Sequence, residues 1–140
     1  MVDIDMQYDV NYLAVLVAAV AYWVLGALWY SGPLFGRAWM RGIGKTEEQI
    51  RSEFSPLNLL WAFILGFIAA YGIARIMAWT GGASVSAGIE IGLLTGVSFG
   101  VATLATHDVM EGRPRVLTAI NALYTILGFL LMGLIIGLWA

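Results

Sequence analysis

Residues 116–139 read VLTAINALYTILGFLLMGLIIGLW, with no acidic, basic or histidine side chain among them. A helix rises about 1.5 Å per residue, so about 20 such residues cross a hydrocarbon core about 30 Å thick. A stretch this long and apolar is at home in lipid as an α-helix, which bonds its own peptide groups. Three further stretches have the same character, at 11–30, 57–79 and 86–106. None alternates apolar and polar residues with period two, which argues against a barrel. Ser31-Gly32-Pro33, Ser55-Pro56, Thr80-Gly81-Gly82 and Glu111-Gly112-Arg113-Pro114 separate them. The expected fold is all-α: a single integral membrane domain over residues 1–140, built as a four-helix transmembrane bundle.

The composition agrees. Hydrophobic residues make up 61% of the chain and charged residues 11%, against about half and about a quarter in a soluble domain. A net charge of -2 gives no reason to expect nucleic acid as a partner. There is no cysteine, which excludes disulfides, thiolate metal sites and cysteine nucleophiles. The opening carries Asp3, Asp5 and Asp9 and no basic residue before Arg37, so the first stretch reads as a span and not as a cleaved signal peptide.

Lys and Arg set the expected orientation. Arg37, Arg41, Lys45 and Arg51 lie in the first connection (32–56), and Arg113 and Arg115 in the third; the second has none, and Arg75 sits in the second span. The first and third connections are therefore expected in the cytoplasm and both termini outside, in a multi-pass protein of the cell membrane. Tyr12, Trp79 and Trp139 would mark the outer interface, and Trp29, Tyr30 and Trp61 the inner one.

The first connection holds structure of its own. Phe35, Ala38 and Trp39 share one helical face and Arg37 and Arg41 the opposite one, the pattern of a short amphipathic segment in the headgroup plane. Thr46 followed by Gln49 reads as a capping box opening a short polar helix that ends near Phe54.

Asn11 to Ala19, Gly26-Ala27-Leu28-Trp29-Tyr30-Ser31, Pro33-Leu34-Phe35-Gly36 and Trp39-Met40 together resemble the uncharacterised membrane family called domain of unknown function 1761. Glu111-Gly112-Arg113-Pro114 and Leu131-Met132-Gly133 are similar to it too. The resemblance covers nearly the whole chain. It implies a small multi-span membrane protein and brings no reaction, substrate or catalytic residue.

Helix faces locate the candidate residues. Gly88, Gly92, Gly96 and Gly100 recur every four positions in the third span and form a groove that admits another backbone. Thr95, Thr103 and Thr106 lie on or beside that face, placed to hydrogen-bond across it. Glu90 falls with Leu94, Val97 and Val101 on the opposite face, and an ion pair with Arg75 is expected to clamp the second and third spans; the alternative is a titrating carboxylate. The fourth span carries a stripe of Thr118, Asn121, Thr125, Gly128 and Met132. Expected inward residues are Ala14, Ala18, Tyr22 and Gly26 in the first span, and Ala62, Gly66, Ala69 and Ile73 in the second. His107, Asp108, Glu111 and Arg113 cluster at the inner end of the third span. They read as an interface ion network and not as a metal site, because His107 is the sole histidine. Ile-Leu-Gly-Phe occurs twice, at 64–67 and 126–129, a weak sign of duplicated hairpins.

No nucleotide loop, metalloprotease motif or serine elbow is present, so neither an enzyme nor a cofactor is expected. Two functions compete. One is a self-associating membrane module that packs through small-residue seams, alone or on a larger membrane partner. The other is an oligomeric channel or carrier for an ion or small solute, with Arg75, Glu90 and Asn121 on the path.

Overall fold

A computed structural model describes residues 10–139. The aspartates Asp3, Asp5 and Asp9 lie outside the described residues. Helix α1 covers Tyr12–Trp29, α2 Gly36–Ile43, α3 Glu47–Glu53, α4 Pro56–Trp79, α5 Val85–Thr95, α6 Ala102–Glu111 and α7 Arg115–Leu138. A π-helical segment, Gly96–Val101, joins α5 to α6 without a break. The described residues are helical with no strand, and four continuous helices are long and apolar enough to cross a membrane: α1, α4, Val85–Glu111 and α7.

Local chemistry sets the ends. The Asn11 side chain accepts from the Ala14 N–H at 3.2 Å, and Ser84 accepts from Ala87 at 3.1 Å. Ser55 caps α4 ahead of Pro56, whose missing N–H costs nothing in a first turn. Thr46 and Gln49 close a reciprocal capping box on α3. Gly44 and Gly112 end α2 and α6 with φ of 73° and 68°, a left-handed turn that a side chain would strain.

The third long helix runs to Glu111, beyond the Thr106 expected from hydropathy. Its last two turns carry Thr106, His107 and Asp108, polar residues that lower hydropathy without ending a helix. The Thr106 hydroxyl bonds back to the Ala102 carbonyl at 2.8 Å.

The four long helices form a bundle in which α1 packs between α4 and α7, and α7 between α1 and α5. Small residues allow the close approach: Ala14, Ala18 and Ala70 are fully buried, and Ala19 with them. Ile73, Met77, Met132 and Ile136 fill the space between α4 and α7. Ala62 is exposed, contrary to expectation. The first half of α4 leans on α1 through Phe63 and Trp23 (ring centroids 6.1 Å apart), leaving Leu57, Leu60, Trp61 and Leu65 exposed with it.

Alternate directions of the helices bring the first and third connections to the same end of the bundle. There Trp29 Nε1 donates to the Ile120 carbonyl at 3.0 Å, and α2 lies against the start of α7. Arg37, Arg41, Lys45, Arg51, Arg113 and Arg115 thus gather at one end, called the basic end below.

Candidate functional site

The glycine face of the third long helix is buried against α7 of the same chain. A Cβ on Gly88 would collide with the Gly133 carbonyl oxygen, and one on Gly133 with that of Gly88. At Gly92 it would stand 2.7 Å from the Phe129 carbonyl oxygen, at Gly96 2.9 Å from Phe129 Cβ, and at Gly100 2.6 Å from Thr125 Cγ2. The seam thus starts as backbone against backbone and widens into side-chain contact. Its other half is Gly133 and Gly137, which sequence reasoning overlooked. Their four-residue spacing was the available signal.

The π-helical segment keeps this face straight. At 3.6 residues per turn, each four-residue step turns the glycine row by about 40° too far. A wider π turn advances less per residue and reverses that drift, so Gly100 still meets α7. Thr95, buried just before it, donates to its own helix at Ile91 O, 2.6 Å away. Neither Thr95 nor Thr106 bonds across the seam, and Thr103 is exposed. A threonine hydroxyl in a helix finds the preceding turn's carbonyl before it finds a neighbour.

A polar and aromatic cluster ties α1 to α7 toward the basic end. Tyr22 and Tyr124 stack with centroids 4.8 Å apart and planes at 7°. The Tyr124 hydroxyl donates to the Tyr22 carbonyl at 3.1 Å, and the Tyr30 hydroxyl to Asn121 Oδ1 at 2.6 Å. Thr125 donates to the Asn121 carbonyl at 2.9 Å. The Tyr22 ring also lies between Gly128 of α7 and Gly66 of α4, where added Cβ atoms would strike it. Those are the glycines of the two Ile-Leu-Gly-Phe repeats. The fourth-span stripe therefore faces protein along its length, down to the fully buried Met132.

The interface cluster is brought together in part. Asp108 is only 4% exposed and accepts from the Thr118 hydroxyl at 2.6 Å. Arg113 Nε lies 3.9 Å from Asp108 and 2.7 Å from Glu111. This network closes the α6–α7 turn and offsets negative charge at the C-terminal end of α6. His107 is exposed and bonds to none of it. No group of three His, Asp or Glu among the described residues is placed to hold a metal.

The expected Arg75–Glu90 ion pair is not formed. Arg75 packs on Tyr71, with its Nη2 3.0 Å from the hydroxyl and its guanidinium carbon 5.4 Å from the ring centroid. Glu90 is exposed, and no ion pair links it to another described residue. The reason is rotational. Seating Gly88 and Gly92 on α7 turns the opposite face of α5, with Glu90 and Leu94, away from the bundle.

Neither the curated proteins nor the solved structures include a match to this chain. The family model described as a protein of unknown function (DUF1761) matches residues 13–137, nearly the whole chain, and the chain belongs to that family.

Proposed function

We propose that this membrane protein is a self-associating packing module, whose copies meet along the face of the third long helix that carries Glu90. The supporting observation is Glu90 itself: an exposed carboxylate beside Leu94 (63% exposed) and Val97 (47%), on the side remote from the glycine seam. A charge on a lipid-facing surface costs about 2–3 kcal/mol near the bilayer centre and less near a helix end. A second copy covering this face replaces hydrocarbon with protein at the carboxylate. The glycine groove is spent inside one copy and does not serve this contact.

An oligomeric channel or carrier is the competing function. The interior of one copy is filled by Ile73, Met77 and Met132 and by the Tyr22–Tyr124 stack, which leaves a solute path only between copies. In the same reading the basic end faces the cytoplasm of a cell membrane and both termini lie outside, on the strength of six basic residues at one end.

The absence of cysteine makes the test direct. Single cysteines at Leu94 or Val97, treated with a short bis-maleimide in native membranes, are expected to give a cross-linked dimer. One at Ile68, on the exposed face of α4, is expected to give none. Monomer alone at Leu94 and Val97, or equal cross-linking at Ile68, refutes the interface.

A further inference from the structure

Helix α2 is fixed on the bundle by its aromatic side. Phe35 packs on Trp29 with centroids 4.4 Å apart, Trp39 meets the Tyr30 ring edge-on at 5.4 Å, and Gly42 sits against Leu117 of α7. This orientation turns Arg37 and Arg41, one helical turn apart, outward together. They line a cleft of about 480 Å³ with Met40, Lys45, Thr46 and Glu47. A second cleft, of about 350 Å³, adjoins it across Lys45 and is lined by Gly42, Ile43, Arg113 and Leu117.

Charge bookkeeping within this region is uneven. Lys45 is paired with Glu53, Arg51 with Glu47 at 2.6 Å, and Arg113 with Glu111. Glu47, the carboxylate that lines the larger cleft, is thereby engaged. Arg37 and Arg41 have no carboxylate within ion-pair distance among the described residues. Two guanidinium groups on one rigid face, with spare donors, fit the oxygens of a phosphate.

We propose that the Arg37–Arg41 cleft is a binding site for the headgroup phosphate of an anionic phospholipid. A lipid fits better than a soluble phosphate compound because the cleft adjoins hydrocarbon-facing surface. Leu34, three residues before Arg37, and Leu28 at the end of α1 are both exposed apolar residues, and Met40 gives the cleft an apolar wall. Trp29, Tyr30 and Trp39 place α2 at the depth where aromatic side chains gather, the headgroup level. Basic pockets beside helix ends on such a surface select anionic lipids. The site is independent of self-association, since no residue of the Glu90 face contributes to it.

The test is lipid binding by the purified full chain in a neutral detergent, read by native mass spectrometry and by the shift in Tm. Phosphatidylglycerol is compared with phosphatidylcholine, and glycerol 3-phosphate is the soluble competitor. Each basic residue near an anionic headgroup contributes about fivefold, so the pair is worth about 30-fold. Wild type is expected to prefer phosphatidylglycerol by about that factor, and R37Q/R41Q to lose the preference. R115Q, outside the cleft, is expected to keep it. Equal binding of the two lipids by wild type overturns the proposal without needing any variant. So does R37Q/R41Q binding phosphatidylglycerol as wild type does. Competition by glycerol 3-phosphate at matched concentration assigns the cleft to soluble phosphate and overturns the lipid assignment. A wild-type preference that R115Q loses as fully as R37Q/R41Q reduces the effect to net charge and overturns the site.

Discussion

Gly128→Ala is the sharpest perturbation this bundle offers. An added Cβ would land on Cδ2 and Cε2 of the Tyr22 ring, atoms in the body of the ring and not at a flexible tip. The ring cannot retreat freely, because Gly66 of α4 closes its other side, where a Cβ would already stand 3.0 Å from Tyr22 Cδ1. Overpacking of this kind costs about 1–3 kcal/mol. A displaced ring also weakens its stack on Tyr124 and its edge contact with Phe129 (centroids 6.2 Å apart), at about 0.5–1.5 kcal/mol per aromatic pair. Alanine's better helix propensity returns about 1 kcal/mol, leaving a net loss of about 1–5 kcal/mol, centred on about 3. The control is Gly72→Ala in α4, where nothing lies within 4 Å of the new Cβ; it is expected to be neutral or slightly stabilising. Unfolding is followed by circular dichroism as SDS is titrated into mixed micelles. Tyr22→Ala removes the obstacle, so adding Gly128→Ala to it should cost nothing. The resulting coupling of about 3 kcal/mol lies at the upper end of the range seen for residues in direct contact. Equal stability of G128A and G72A, or strictly additive Tyr22 and Gly128 effects, refutes the wedged ring.

Three further outcomes follow from the same contacts. Gly88→Ala places its Cβ on the Gly133 carbonyl, which has no rotamer to relieve it, so α5 must lift off α7 at a cost of about 3 kcal/mol in the same titration; wild-type stability would mean the seam is looser than described. Thr118→Val removes the hydroxyl that donates to the buried Asp108 and should cost about 1.5–3 kcal/mol, as for hydrogen bonds to charged groups. The same change in an Asp108→Ala background should cost little, and an undiminished effect there would sink the network. Trp29→Phe keeps the contact with Phe35 and loses the donor to Ile120 O, a loss of about 1 kcal/mol, measured as a lower SDS midpoint.

The spans are legible because hydropathy and length report the solvent, and the solvent here dictates the helix. The boundaries are legible where a side chain acts on its own backbone (Asn11, Ser55, Thr46 with Gln49) or where a glycine admits a left-handed turn (Gly112); each announces a helix end from within a few residues. Hydropathy loses track where a helix leaves the apolar layer without stopping, which is why Thr106 looks terminal and Glu111 is. The π-helical segment has no such local announcement. Its cause is the need to keep Gly96 and Gly100 on the α7 side, a demand set by a helix that begins 15 residues after Gly100.

Depth along the membrane normal is written in the sequence, and rotation about a helix axis is written only half. Arg75 and Glu90 lie at similar distances from the turn between their helices, and that similarity is what makes their pairing plausible from sequence. Yet rotation is decided by whichever face has the stronger claim. On α5 the claim of Gly88 and Gly92 prevails, since only that face lets two backbones touch. Glu90 is carried outward as a consequence. The same reasoning explains Tyr22. Its own sequence neighbourhood shows only an aromatic residue in an apolar run. Its role as a wedge needs Gly66 and Gly128, on two other helices, to leave matching gaps. Sequence patterns name the surfaces that can approach closely, and competition among those surfaces, which is a property of the whole bundle, decides which charged residues are left facing out.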